Sequence, residues 1–216
     1  CALCIREEIY ASDHPMVLAT KNNIAQVYAS EERYGEAISL FETVIREYRE
    51  NSTEDSAFLA TVYDNLSTAY REMERYEDAI DICTEGLNIR KDIYGKRSLD
   101  YAISLNNLAL IYYEMGILND AADIFSEALA IKKETLPEIH GQISIGYFNL
   151  GLVYDKLHRD NEALENYRAS MEIDNELEAY EDVLLTAEYI AEIYERNDMP
   201  EDAEAYRTLC SKDDVH

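Results

Sequence analysis

The stretch Leu99-Asp100-Tyr101-Ala102-Ile103-Ser104-Leu105-Asn106-Asn107-Leu108-Ala109-Leu110-Ile111-Tyr112-Tyr113-Glu114-Met115-Gly116, continuing through Leu118 to Leu129, decides the fold. In its first part Leu105, Leu108, Ala109 and Tyr112 stand three or four apart, which makes one apolar stripe on a helix. Gly116 ends that helix, at a place where a left-handed residue costs little. In the second part Ala121, Ile124, Phe125, Ala128 and Leu129 make another stripe. The spacing predicts one helix over about 99–115 and a second over about 118–136. Two amphipathic helices joined by a few residues fold as an antiparallel pair.

The pattern repeats along the chain. Tyr28, Tyr70, Tyr112 and Tyr154 are spaced by 42 residues, and Tyr194 follows after 40. Ala37, Ala79, Ala121, Ala163 and Ala203 keep the same register. One helix pair cannot cover its own apolar face, whereas a stack of pairs can. The fold class is therefore all-α, a stack of about 11 helices. Residues 1–10 read as the second helix of a preceding unit, because Ala2 stands three periods before Ala128. Five units follow, over 14–56, 57–98, 99–140, 141–178 and 179–212. A leading half-unit leaves an apolar face uncovered, which favours homodimerisation or end-to-end stacking.

Composition agrees with this reading. The chain has 216 residues, 19 basic against 45 acidic, and a formal net charge of −26. Hydrophobic residues make up 47%, too many for a disordered acidic tail. Only 7 Gly and 3 Pro argue against a turn-rich sheet protein. The charge repels phosphate backbones and anionic lipid, so neither nucleic acid nor a membrane surface is an expected partner. No apolar run is long enough to span a bilayer. Four Cys without a disulfide framework suit a reducing, cytoplasmic setting.

The spacing Leu105-x-x-Leu108-Ala109-x-x-Tyr112 with Ala121-x-x-x-Phe125 resembles the tetratricopeptide repeat. The fourth unit shows it through Tyr147, Leu150, Gly151, Tyr154, Ala163 and Tyr167. The period of 42, with Ser104-Leu105-Asn106-Asn107-Leu108-Ala109, resembles the form found in kinesin light chains. The resemblance implies a right-handed superhelical α-solenoid whose first helices line a concave groove. It also implies a non-catalytic scaffold that binds other proteins.

Asn23, Asn65, Asn107 and Asn149 recur at the same interval, each one residue before a core aliphatic. One residue turns the side chain by about 100°, off the core stripe and onto the next face. Asn in a helix interior costs roughly 0.5 kcal/mol relative to Ala, so four in one register need a reason. One reading is capture of an extended peptide, since an amide offers both a donor and an acceptor to a passing backbone. The row resembles the asparagine ladder of O-linked N-acetylglucosamine transferase. The other reading is that the amides bond to neighbouring helices. Gln26, Asn106, Ile103, Leu110, Ile145, Phe148, Leu152 and Tyr189 share or flank this face, and are expected to anchor ligand side chains or to pack between helices.

Some members of the family clamp a terminal carboxylate with basic residues on the inner face. Here that face carries Asn22, Asp64, Asn106, Phe148 and Glu188, and no basic pair, so a neutral or basic peptide is expected instead. No converging acid, base and nucleophile is visible, and no metal, cofactor or catalytic residue is expected. Cys1-Ala2-Leu3-Cys4 lacks a second pair, and Cys83 and Cys210 fall at core places. His14 and His140 read as helix-start residues. A second function remains open: a sensory or regulatory segment whose peptide binding or self-association gates an attached effector domain.

Overall fold

The structure, a computed structural model, describes residues 14–51 and 56–210. The helix expected over 1–10, with Cys1 and Cys4, lies outside the described residues, as does the side chain of Cys210. Among the described residues there are ten helices and no strand. They are α1 (Pro15–Ser30), α2 (Tyr34–Asn51), α3 (Ala57–Glu72), α4 (Tyr76–Tyr94) and α5 (Leu99–Glu114), then α6 (Leu118–Thr135), α7 (Gly141–Lys156), α8 (Asp160–Glu176), α9 (Tyr180–Arg196) and α10 (Pro200–Cys210). The helices α1, α3, α5 and α7 each have 16 residues. Their successors α2, α4, α6 and α8 have 18, 19, 18 and 17. No helix among the described residues is long and apolar enough to cross a membrane.

Local chemistry sets where the helices start. His14 Nδ1 accepts from the Met16 N–H at 3.2 Å, and His140 Nδ1 accepts from the Gln142 N–H at 3.0 Å. Ser56 and Ser98 do the same for α3 and α5 through their hydroxyls, each at 3.2 Å. These side chains satisfy N–H groups that a helix start leaves open.

The turns inside the pairs follow one scheme. Residues Glu32, Glu74, Gly116, His158 and Asp198 all have left-handed backbones, with φ of 60°, 57°, 78°, 55° and 58°. The next residue donates its N–H back to the carbonyl of the register tyrosine: Arg33 to Tyr28, Arg75 to Tyr70, Ile117 to Tyr112, Arg159 to Tyr154 and Met199 to Tyr194, each at 2.9 Å. This is the Schellman closure of a helix end. Where that residue is Arg, its guanidinium also lies over the tyrosine ring, at 4.2, 4.4 and 4.6 Å for Arg33, Arg75 and Arg159. The recurring tyrosines thus serve the turn with their carbonyls and, in three of the five, with their rings.

The chain forms two compact units, one ending at Ile111 and the other starting at Tyr112. In the first, Leu59, Ala60, Tyr63 and Ile89 form a buried cluster with Ile45, Tyr48 and Ile82 against it. This core also holds charge. Asp64 and Arg90, each 7% exposed, form an ion pair. Ser104 Oγ donates to Asp64 Oδ1 at 3.2 Å and accepts from Arg90 Nη1. Lys21 is likewise buried and pairs with Glu47 at 2.8 Å. In the second unit Ala163, Tyr167, Ile190, Ala191, Ile193, Tyr194 and Ala203 form the buried cluster. Gly151 lets the fully buried Tyr167 ring approach, because a Cβ there would fall 2.5 Å from its ring carbons.

Candidate functional site

The asparagine register is not uniform in its surroundings. In the first unit Asn23 is exposed on α1, while Asn65 on α3 and Asn107 on α5 are half-buried. The Asn65 amide donates to Asn22 Oδ1 at 3.2 Å, and Asn22 is itself buried. That bond ties two successive first helices together, which is the inter-helix use of an amide. Asn106, Ile103 and Leu110 are half-buried on α5, and Gln26 is exposed on α1. In the second unit Asn149 is 8% exposed, so of the four it presents least to an incoming chain.

One expectation about charge changes. The inner face was expected to carry Asp64 as a repelling surface charge; instead Asp64 is buried and neutralised by Arg90. Hydropathy places a carboxylate outside, but a guanidinium one helix away, with Ser104 filling a further lone pair, lets it stay inside.

Of the apolar residues expected to share or flank this face, three lie against the buried cluster that contains Tyr167. Phe148, Leu152 and Tyr189 pack on the buried cluster. Phe148 lies 5.6 Å from Tyr167 and 5.5 Å edge-on from Tyr189, and Tyr189 stacks on Tyr167 at 5.5 Å. These offset and edge contacts suit the ring quadrupoles. Ile145 stays 47% exposed. The Tyr167 hydroxyl is buried with no hydrogen-bond partner, and burial raises its pKa well above the usual phenol range.

Beside this cluster, α7, α8 and α9 line an open cavity of ≈ 170 Å³. Its outer wall is apolar: Ile145, Phe148, Leu177 and Leu185. Its floor is polar and almost fully covered, with Ser144 3%, Ser170 1%, Thr186 1% and Asp174 5% exposed. The Ser144 and Ser170 hydroxyls share a hydrogen bond of 2.9 Å, and Ser170 Oγ donates to Asp174 Oδ2 at 3.3 Å. Burial holds the Asp174 carboxyl above the usual range, and the nearby Asp182 adds to this against the serine hydrogen bonds. Ile145 and Phe148 were expected at a site; Ser144, Ser170, Asp174, Asp182 and Thr186 were not. A register comparison carries their signal: Ser144 and Ser170 stand where the preceding repeat has Ala102 and Ala128.

The arrangement holds no visible catalytic set among the described residues. The Cys83 thiol is buried and pushed up to about 12, which leaves it unreactive. No group of His, Cys, Asp and Glu among the described residues could hold a metal ion. His158 and Arg159 belong to a turn.

Models of the tetratricopeptide repeat match residues 17–52, 58–134 and 146–177, which together cover most of the chain. No curated protein matches by sequence. Among solved structures, BtubC (BKLC) from P. vanneervenii is similar at a TM-score of 0.84 with 18% identity, over 99% of this chain and 89% of that one. A kinesin light chain protein of nearly identical TPR-like repeats from P. anserina gives 0.79 and 19%, over 94% of this chain and 99% of that one. The Rap conjugation gene regulator of the plasmid pLS20, solved with the Phr* peptide, gives 0.71 and 19%, over 89% of this chain and 52% of that one.

Proposed function

We propose, since this chain belongs to the tetratricopeptide-repeat family, that it is a non-catalytic interaction scaffold holding an extended peptide along the face of its first helices. The observation that carries this reading is the asparagine register in the first unit: Asn23 exposed, and Asn65 and Asn107 half-buried, on three successive first helices. Amides so placed can meet the backbone of a ligand regardless of its sequence. Apolar residues of the second unit, Ile145, Phe148, Leu152 and Tyr189, are the proposed side-chain anchors. With a net charge of −26, the ligand is neutral or basic rather than acidic, and neither nucleic acid nor membrane. The setting is cytoplasmic, and self-association is a further proposed partner.

The test is a peptide-library pull-down with the wild type and with Asn23→Ala combined with Asn107→Ala. Asn65 is left intact because it also bonds Asn22. Each lost hydrogen bond costs about 0.5–1.5 kcal/mol net, so the pair should weaken a groove peptide by roughly one to two decades. Equal melting of both proteins with unchanged binding refutes the amide row as a ligand ladder.

A second reading is favoured by the Rap likeness, which spans 52% of that chain, and 54% of the RapI chain. There the repeats would be the sensory part of a longer regulator, and peptide binding would gate an effector. A longer gene product with an effector domain, released or silenced by peptide, is its test.

A further inference from the structure

The cavity between α7, α8 and α9 departs from the register of the units before it. The position that holds Arg90 in the second repeat (57–98) and Lys132 in the third holds Asp174 in the fourth. The position of Arg90's partner Asp64 holds Phe148 two units later. The fourth repeat therefore reverses the sign of a buried charge and removes the place from which a counter-charge would come. Its small-residue places also change, since Ser144 and Ser170 stand where the third unit has Ala102 and Ala128. The result is a buried carboxylate and two hydroxyls at the floor of an open cavity.

No lysine, arginine or histidine lines that cavity. Asp174 accepts from Ser170, and no cation pairs with it among the described residues. A buried carboxylate without a cation is costly, and one that faces an entrance can be neutralised from outside. The entrance is built for an apolar stem: Ile145, Leu177 and Leu185 are 47%, 42% and 45% exposed around it. An aliphatic chain ending in a cation matches both halves, apolar wall and acidic floor.

We propose that this cavity is a specificity pocket for one basic side chain, lysine or arginine, of the peptide ligand, with Asp174 as its counter-charge and Asp182 at its rim. This rests on the peptide-scaffold reading for its biological ligand, but the pocket chemistry can be tested without any peptide. The probes are Nα-acetyl-lysine amide, Nα-acetyl-arginine amide and the neutral Nα-acetyl-norleucine amide, titrated into the isotope-labelled chain. Backbone amide resonances of Ser144, Ile145, Asp174 and Leu185 should move with one or both basic probes at millimolar concentration and stay in place with norleucine amide. The stronger of the two basic probes identifies the side chain. Asp174→Asn should abolish the shifts, and Asp174→Glu should retain part of them. A melting curve for each variant shows that the fold is kept.

A second arm uses peptides selected on the wild type. Asp174→Asn should weaken those with lysine or arginine at a fixed position by about tenfold or more, and spare those without. Peptides that bind equally to wild type and Asp174→Asn overturn the pocket while leaving the scaffold intact. Shifts with the basic probes but no peptide binding overturn the scaffold and keep the pocket. No shift with either basic probe, or equal shifts with norleucine amide, overturns the pocket outright.

Discussion

At the scale of single residues, two glycines of α7 do different work. A Cβ at Gly146 would meet the end of the Leu129 side chain at 2.9 Å, and a side-chain end can turn away. A Cβ at Gly151 would meet the ring of Tyr167, which is 0% exposed and wedged against Phe148 and Tyr189. Gly151→Ala should therefore cost about 1–3 kcal/mol, the usual range for overpacking a filled core, and Gly146→Ala clearly less. Urea denaturation of the two variants decides this; equal losses would refute it. Lys132 supplies a pH-dependent case. It is 1% exposed, and burial pulls its ammonium down to about 8 from an ordinary 10.5. Between those values the unfolded chain binds the proton and the folded chain has released it, so stability rises with pH across about 8 to 10. Lys132→Met should raise stability at pH 7 and flatten that rise, as read from melting temperatures at several pH values. Gly151 was legible as a family position, although its reason, the Tyr167 ring, was not. Buried Asp64 and Asp174 were illegible from hydropathy, which scores a residue without its partners. Only setting one unit against another shows that 90, 132 and 174 change sign.

At the scale of elements, the turn is the informative piece. Gly116 was legible as a helix end because glycine advertises a left-handed backbone. Glu32, Glu74, His158 and Asp198 adopt the same conformation without that signal, because the Schellman bonds to Tyr28, Tyr70, Tyr154 and Tyr194 hold them there. A left-handed backbone costs a residue with a Cβ roughly 1–2 kcal/mol, part of which glycine returns as unfolded-chain entropy. Glu74→Gly should thus stabilise the chain by about 0.5–1 kcal/mol, and Gly116→Ala should destabilise it by a similar amount. The two melting shifts must have opposite signs; a loss on Glu74→Gly would mean that its side chain matters more than its backbone. The two helices of the third repeat were legible to within a residue or so. The predicted ends at about 115 and 136 became Glu114 and Thr135.

At the scale of the whole molecule, repetition made the fold legible, because one register of tyrosine and alanine recurs across nearly the whole chain. The site was less so. Period marks what every unit shares, whereas the cavity arises where one unit departs from the others. Charge acts at this scale as well. With 45 acidic against 19 basic residues, like charges repel throughout the folded chain. Several ion pairs that oppose this, such as Arg33–Glu36 and Arg75–Asp78, are exposed local pairs at i, i+3 worth little each. The buried pair Asp64–Arg90 and the part-buried pair Lys21–Glu47 are screened less than the surface excess. Moderate salt should therefore remove more repulsion than attraction. The melting temperature should rise as sodium chloride goes from low to physiological concentration, over which the screening length falls from about 30 Å to about 8 Å. A fall over that interval would mean that surface ion pairs, not the net charge, govern the stability of the array. The same salt should weaken a basic peptide held by Asp174 less than one held by the surface field alone, because a carboxylate 5% exposed is shielded from counter-ions.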